Sequence, residues 1–175
     1  MEELIDYMLE AILYVFPAYV ANATPVVTVR LLGKSTPLDM GLRAWDGRRI
    51  LGDGKTVEGL LSGVVAGSSI GLLIYYFVNL FRSVSEPFIL ALGAMVGDIF
   101  GSFIKRRIGL ERGRSLPLLD QLGFLLFSLI FSSLIYGLPR WMKLDVFLIL
   151  LIITFILHIS TNYVAYILGL KNRPY

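Results

Sequence analysis

Long apolar runs separated by short charged segments are the main pattern along the chain. Each run has about the 20 residues that a helix needs to cross a bilayer. The runs predict five transmembrane helices, over Leu4–Ala23, Thr56–Val78, Phe88–Ile104, Leu116–Leu138 and Val146–Leu170. We therefore expect an all-α integral membrane protein that forms a single membrane-embedded domain, residues 1–175.

Composition supports a membrane protein and narrows its chemistry. Hydrophobic residues make up 56% of the chain, and its mean hydropathy is +0.74, above the usual range of soluble domains. The chain has no cysteine and one histidine, which excludes disulfides, thiolate zinc sites and cysteine nucleophiles. A bound metal would therefore have oxygen ligands, as Mg²⁺, Ca²⁺ and Mn²⁺ prefer.

The placement of basic residues predicts the orientation in the membrane, because cytoplasmic loops retain positive charge. Lysines and arginines gather in the long first loop, in the third loop and in the C-terminal tail: Arg30, Lys34, Arg43, Arg48, Arg49, Lys55, Lys105, Arg106, Arg107, Arg112, Arg114, Lys171 and Arg173. The opposite face has only Arg82, Arg140 and Lys143. This predicts a cytoplasmic first loop over Thr24–Lys55, an N-terminus outside the cell and a C-terminus inside.

Glycines recur every four residues in two of the predicted spans. They are Gly59, Gly63, Gly67 and Gly71 in the second span and Gly93, Gly97 and Gly101 in the third. Small residues at this spacing lie on one helix face and let backbones approach closely in lipid. We expect the second and third helices to pack tightly together at the centre of the protein.

Two aspartates near the third and fourth spans are the first candidates for chemistry. Asp98, Ser102 and Lys105 lie on one helix face by their spacing. Asp120 opens the following helix, so its carboxylate can converge with that of Asp98. Two carboxylates beside basic residues indicate a site for Mg²⁺ and phosphates. The alternative is structural: Asp98 pairs with a basic residue and Asp120 caps its helix.

A glycine-rich segment before the second span is the other candidate. Gly52, Asp53, Gly54, Lys55 and Thr56 lead directly into a helix, where free backbone N–H groups and the helix dipole favour an anion. The segment lacks the earlier glycine of a Walker A loop. Alternatively it is a basic juxtamembrane loop attracted to anionic lipid.

Three further polar positions have weaker patterns. Asp46 precedes two arginines in the first loop, and Asn22 ends the first span, where it either lines the site or is only a polar helix end. His158 and the polar residues after it lie within the fifth span, a position more typical of interhelical hydrogen bonding than of catalysis.

Five motifs together resemble the archaeal CDP-archaeol synthases, over essentially the whole chain. They are Asp46–Arg49, Gly52–Gly59, Gly97-Asp98, Gly101–Arg106 and Pro117–Gln121. The chain is more distantly similar to CDP-diacylglycerol synthases, whose outline Ser102, Lys105, Arg106 and Asp120 match. It lacks their Lys-Asp pair after Lys-Arg and their His-Gly-Gly stretch, which favours the archaeal family.

The resemblance implies a membrane enzyme that uses CTP, Mg²⁺ and 2,3-bis-O-geranylgeranylglycerol 1-phosphate to form CDP-archaeol and pyrophosphate. It implies a catalytic site facing the cytoplasm and no nucleic-acid partner. Asp98 and Asp120 would hold the metal, and Lys55 and Lys105 would bind phosphates. The substrate-binding residues would be Gly52, Asp53, Gly54, Thr56, Ser102, Arg106, Asn22 and Asp46, with cytosine read by the first loop and near Asn22.

Two other functions are compatible with the same residues. A polyprenol kinase would use CTP but transfer its γ-phosphate, and would release CDP rather than pyrophosphate. A small ion-coupled transporter would use Asp98 as its coupling acid and would need polar residues continuing to the outer face. The third span from Phe88 to Val96 has no ionisable residue, which counts against such a path.

Overall fold

The computed structural model describes residues 2–111 and 113–171. Within those residues the chain forms five helices and no extended strand. They are α1 Glu2–Leu32, α2 Val57–Val78, α3 Glu86–Arg107, α4 Leu119–Tyr136 and α5 Leu144–Ile167. All five are long and apolar enough to span a membrane. The prediction of an all-α protein with five spans is confirmed. Arg112 and Arg173, used in the charge argument, lie outside the described residues.

Helix α1 is longer than predicted, because the residues after Ala23 remain helical through Leu32. The prediction ended the span before Pro25, but that proline lies inside the helix. Pro25 leaves only the Ala21 carbonyl without its helical N–H partner, and prolines are tolerated inside membrane helices. The first loop therefore begins only at Gly33, whose positive φ of +65° ends the helix.

The other predicted bounds also need correction. Thr56 is not the first residue of α2 but its N-cap, and its hydroxyl accepts a hydrogen bond from the Gly59 amide at 3.1 Å. Helix α3 extends beyond the predicted span at both ends. Helix α4 begins at Leu119, because Leu118 has a non-helical φ of +67° and Pro117 disfavours helical geometry at Leu116. Helix α5 begins at Leu144 and ends at Ile167.

Helix α3 is the centre of the packing, in contact with α1, α2 and α4. The two glycine rows face different helices. A Cβ at Gly67 of α2 would lie 2.5 Å from the Pro17 oxygen and 2.9 Å from the Ala91 Cβ, in contact with α1 and α3. A Cβ at Gly97 of α3 would lie 2.6 Å from the Gly123 oxygen of α4. Helices α2 and α3 do pack together, but the glycines of α3 face α4.

A buried polar cluster fastens α3 at the end that begins with Glu86. The Glu86 side chain is fully buried and accepts from the Tyr14 hydroxyl at 2.5 Å and from Ser132 at 2.9 Å. Arg82 forms an ion pair with Glu86 and donates to the Tyr136 carbonyl at 2.8 Å. Because a buried carboxylate is costly unless paired, this cluster joins α1, α3 and α4 at one end and leaves the opposite end for the site.

Candidate active site

The first loop, residues 33–56, has a fixed conformation built around Asp39. The buried Asp39 carboxylate accepts from the Arg49 guanidinium at 2.5 Å and from the amides of Leu51 and Gly52, each at 2.9 Å. The guanidinium, followed by these backbone donors, holds the pKa of Asp39 well below its ordinary value. Asp39 thereby positions the glycine-rich segment that follows.

The loop also docks on the end of α3 through Arg107. This arginine pairs with Asp46 at 2.9 Å and donates to the Arg49 carbonyl at 2.6 Å. Nearby, the Ser102 hydroxyl donates to the Leu51 carbonyl at 3.0 Å. Asp46 lies beside neither cavity described below, so in this structure it holds the loop against the helix.

The loop, α3 and α4 enclose a cavity of about 280 Å³, here called the basic cavity. Nine of the predicted site residues line it: Gly52, Asp53, Gly54, Lys55, Asp98, Ser102, Lys105, Arg106 and Asp120. Its described lining has five basic side chains against three carboxylates. The excess of positive charge favours a polyanion such as a triphosphate.

Each candidate metal-binding carboxylate is paired with a lysine. Lys55 Nζ lies 2.5 Å from Asp98 Oδ2, joining the loop to α3. Lys105 Nζ lies 2.7 Å from Asp120 Oδ1, joining α3 to α4. The other Asp120 oxygen accepts from the Leu116 amide at 2.8 Å. Both pairs keep part of their side-chain surface exposed, so the carboxylates are accessible from the cavity.

A second opening of about 900 Å³, here called the wide cavity, lies between the loop end of α1 and α5. Asn22 and the N-cap Thr56 line it, as does Arg30. Much of the remaining wall is apolar and includes Val26, Val29, Leu60, Met95, Ile99 and Leu170. The two cavities share a common wall, formed by Asp53, Gly54, Lys55, Asp98, Gly113, His158, Asn162 and Lys171.

Helix α5 contributes to the common wall, which the sequence did not predict. Asn162 contacts the His158 ring at 2.9 Å and accepts from Lys171 Nζ at 2.8 Å. These contacts lie within α5 and its C-terminal extension, rather than between helices as expected. Burial and then the nearby Lys55 lower the pKa of Lys171. The available signal was a polar group inside the most apolar span.

Gln121 is a further lining residue that was not among the predicted site residues. It lies one position after Asp120, is largely buried, and lines the basic cavity. Two signals for it were present in the sequence: an amide beside an aspartate in a predicted span, and its place at the end of the motif Pro117–Gln121.

The residues fit a magnesium site that the protein alone does not complete. Among residues 2–111 and 113–171, no three or more histidines, aspartates or glutamates are close enough to form a metal cage. Asp98 and Asp120 line the same cavity, and Mg²⁺ is commonly held by one or two carboxylates together with substrate phosphate oxygens. The donor set therefore suits Mg²⁺ that arrives with a phosphate ligand.

The fold and the cavities define a multi-pass membrane protein with a basic polar site between its helix ends. The chain belongs to the family described as CarS-like: CDP-archaeol synthase, which it matches over residues 4–175. It is 49% identical to the CDP-archaeol synthase of Aeropyrum pernix, over 98% of this chain and 94% of the relative. It is 42% identical to that of Pyrococcus horikoshii, over 97% and 98%.

A solved structure has the same architecture. It was described under the heading "Structural insight into an intramembrane enzyme for archaeal membrane lipids biosynthesis". This chain is 45% identical to it, with a TM-score of 0.77 over 89% of this chain and 94% of that one. The family expected from the five motifs is confirmed.

Proposed function

We propose that the protein transfers CMP from CTP to the phosphate of 2,3-bis-O-geranylgeranylglycerol 1-phosphate, forming CDP-archaeol and pyrophosphate. Membership of the CDP-archaeol synthase family supports this reaction. The structural observation that carries it is the common wall, where the basic cavity and the wide cavity with its apolar side meet at Lys55 and Asp98. A reaction between a nucleotide and a lipid phosphate needs such a meeting point.

The basic cavity is the proposed nucleotide site. Its excess of basic groups complements the charge of a triphosphate. The backbone from Gly52 to Gly54 lies just before the N-terminus of α2, where the helix dipole favours phosphate oxygens. The Gly52 amide is bound to Asp39 and positions this segment. Lys55 and Lys105 bind the phosphates, and Arg106 lines the same cavity. Asn22, which the resemblance suggested for cytosine recognition, lines the wide cavity and not the basic cavity.

The wide cavity is the proposed lipid site. Its apolar wall, which includes Val26, Val29 and Met95, suits isoprenoid chains. Arg30 and Lys171 also line it and provide positive charge for the lipid phosphate. Because Lys171 belongs to the common wall, a phosphate beside it lies next to the nucleotide site.

The reaction is an in-line substitution at phosphorus. An oxygen of the lipid phosphate attacks the α-phosphorus of CTP, a new P–O–P bond forms, and the bond from the α-phosphorus to the bridging oxygen breaks to release pyrophosphate. Lys55 and Lys105 stabilise the negative charge that accumulates on phosphate oxygens. Mg²⁺ held by Asp98 and Asp120 would neutralise phosphate charge. No side-chain nucleophile is required.

The site faces the cytoplasm in this proposal, with the N-terminus outside the cell and the C-terminus inside. The first loop lines both cavities, and residues 113–115 line the basic cavity. Basic residues concentrate in these two loops. Positive loops are retained in the cytoplasm, where CTP is available. The protein is then a multi-pass protein of the cell membrane.

The test is product analysis with purified protein, CTP labelled on its α-phosphate, Mg²⁺ and a panel of lipid phosphates. The proposal expects the label in a lipid product and the release of pyrophosphate. Label recovered as CDP, with a phosphorylated lipid, would instead identify a CTP-dependent kinase and overturn the proposed reaction.

Substitution of the two carboxylates tests their role in the same assay. Asp98→Asn and Asp120→Asn each remove a metal-binding charge and should lower turnover by at least about 100-fold, the upper end of effects seen around metal ligands. Asp6→Asn is the matched control, since Asp6 is exposed near the N-terminus of α1. Near-normal turnover in either cavity variant would contradict the assignment.

A further inference from the structure

The ion-paired carboxylates of the described residues have either arginine or lysine partners. Arginines hold the carboxylates that fasten loops and helices, in the pairs Arg49–Asp39, Arg107–Asp46, Arg82–Glu86 and Arg140–Glu10. Lysines hold the two candidate metal-binding carboxylates of the basic cavity, in the pairs Lys55–Asp98 and Lys105–Asp120. The third carboxylate of that cavity, Asp53, is the most exposed of the three, shares Arg49 with Asp39 and is not a candidate metal ligand. The pair Lys143–Glu3 is exposed and remote from the cavity.

The two bases differ in how firmly they hold a carboxylate. A guanidinium is a rigid planar fork that can grip both oxygens, whereas an ammonium is a point charge on a flexible stem. Asp39 shows the firm arrangement, with a fully buried side chain and two arginine nitrogens within 3.2 Å. Asp98 and Asp120 keep 31% and 20% of their side-chain surface exposed, and one lysine nitrogen contacts each.

We propose that Lys55 and Lys105 are exchangeable counter-ions, which occupy the metal-binding carboxylates until the nucleotide arrives. Each ammonium then moves from its aspartate to phosphate oxygens, and the aspartate becomes available to the divalent ion that accompanies the nucleotide. The proposal rests on the proposed function for the identity of that nucleotide. Lys55 and Lys105 thus act as positioning residues for the metal as well as phosphate ligands.

The exchange makes metal and nucleotide binding cooperative. A divalent ion that enters alone must displace a lysine, which leaves a partly buried ammonium without a counter-ion and is unfavourable. A triphosphate that enters with the ion supplies a new partner for each lysine, so the unfavourable contribution is removed. Coupling between two ligands is reciprocal, so CTP must raise the affinity for the ion and the ion must raise the affinity for CTP.

Binding of Mn²⁺, a spectroscopic substitute for Mg²⁺, measures this coupling without turnover. The full chain in detergent is titrated with Mn²⁺ and followed by electron paramagnetic resonance, with and without CTP and without lipid. For the unmodified protein, CTP should raise the Mn²⁺ affinity at least about fivefold, the lower end of typical allosteric coupling.

Two substitutions at each lysine should act in opposite directions on Mn²⁺ binding without CTP. Lys55→Met and Lys105→Met free a carboxylate and should tighten Mn²⁺ binding by up to about fivefold, the upper value of a partly exposed ion pair. They should also reduce the increase in Mn²⁺ affinity that CTP causes. Lys55→Arg and Lys105→Arg hold the carboxylate more firmly and should weaken binding. Lys143→Met and Lys143→Arg are matched controls, since Lys143 lies outside the cavity. They should change neither the Mn²⁺ affinity without CTP nor the increase that CTP causes.

Mn²⁺ affinity that does not rise in either methionine variant would overturn the proposal, as would a Mn²⁺ affinity of the unmodified protein that CTP leaves unchanged. If a methionine variant does not fold, the arginine variant at the same position is the test. Unchanged Mn²⁺ affinity in that arginine variant would contradict the proposal. Failure of the proposed function is separately visible. If the methionine and arginine variants change Mn²⁺ affinity in opposite directions but the product is that of a kinase, only the proposed reaction is refuted. If CDP-archaeol forms but the variants do not have these opposite effects, only the proposed exchange is refuted.

Discussion

At the scale of single residues, the chain uses similar carboxylates for different purposes, and their partners separate them. Asp39 is closed to ligands because arginine and backbone donors occupy it within the loop. Asp98 and Asp120 face a cavity and have one lysine each. The segment from Gly52 to Lys55 reaches the cavity only because Asp39 fixes the turn before it.

Substitution of Asp39 should loosen the loop without touching the cavity directly. Asp39→Asn removes a charge that accepts from Arg49 and two amides, and hydrogen bonds to a charged group contribute about 1.5–3 kcal/mol each. We expect faster hydrogen exchange at the amides of Leu51 and Gly52 and weaker CTP binding. Asp145→Asn is a matched control, since that carboxylate accepts from the Val146 amide at the far end of the protein. Unchanged exchange at Leu51 and Gly52 would contradict this role.

The same carboxylate predicts how loop stability depends on pH. The pKa of folded Asp39 lies below its value in an unfolded chain, which is about 3.9. The resulting stabilisation is fully present above that unfolded value and is lost as the pH falls through the folded pKa. Exchange protection of Leu51 and Gly52, corrected for intrinsic rates, should therefore be constant from neutral pH to about 5 and decrease below about 4. Asp39→Asn should show little of this decrease, and an equal decrease in both proteins would be the contrary result.

At the scale of helices, the five spans could be predicted because a membrane-spanning helix is one continuous apolar stretch of the sequence. The length of α1 was missed because a proline often marks the end of a helix, whereas a membrane helix can continue through one, as α1 does at Pro25. The contribution of α5 was missed for a different reason. His158 and Asn162 are remote in sequence from Lys55, and only the packing of the helices brings them to one cavity wall. The same holds for Lys55 and Asp98, whose pairing spans 43 positions.

The glycine row of α3 yields a prediction about helix packing. A Cβ at Gly97 would lie 2.6 Å from a backbone oxygen of α4, whereas one at Gly101 would lie 3.6 Å from the Leu119 side chain, an ordinary contact. Gly97→Ala should therefore destabilise the protein by about 1–3 kcal/mol through overpacking. Both substitutions gain the same helix propensity, so Gly101→Ala is the matched control and should be neutral or slightly stabilising. Thermal unfolding in detergent measures the difference, and equal effects would contradict the packing argument.

At the scale of the whole molecule, the two ends of the helix bundle differ in chemistry. One end is closed by the buried cluster around Glu86 and Arg82, which joins three helices. The other end has the first loop, the basic cavity and the wide cavity. A closed end that joins three helices helps to hold Asp98, Lys105 and Asp120 in register at the open end, where both cavities lie.

The difference between the two ends makes the proposed orientation testable, since the chain has no cysteine and single cysteines can be introduced as reporters. Lys34 is exposed in the first loop, and Leu138 is 71% exposed at the closed end. Lys34→Cys and Leu138→Cys therefore place one reporter at each end of the bundle. In intact cells, a membrane-impermeant maleimide should label the cysteine at position 138 and spare the one at position 34 until the membrane is opened, because basic loops are retained in the cytoplasm. Labelling of position 34 in intact cells would place the active site outside and would contradict the use of cytoplasmic CTP.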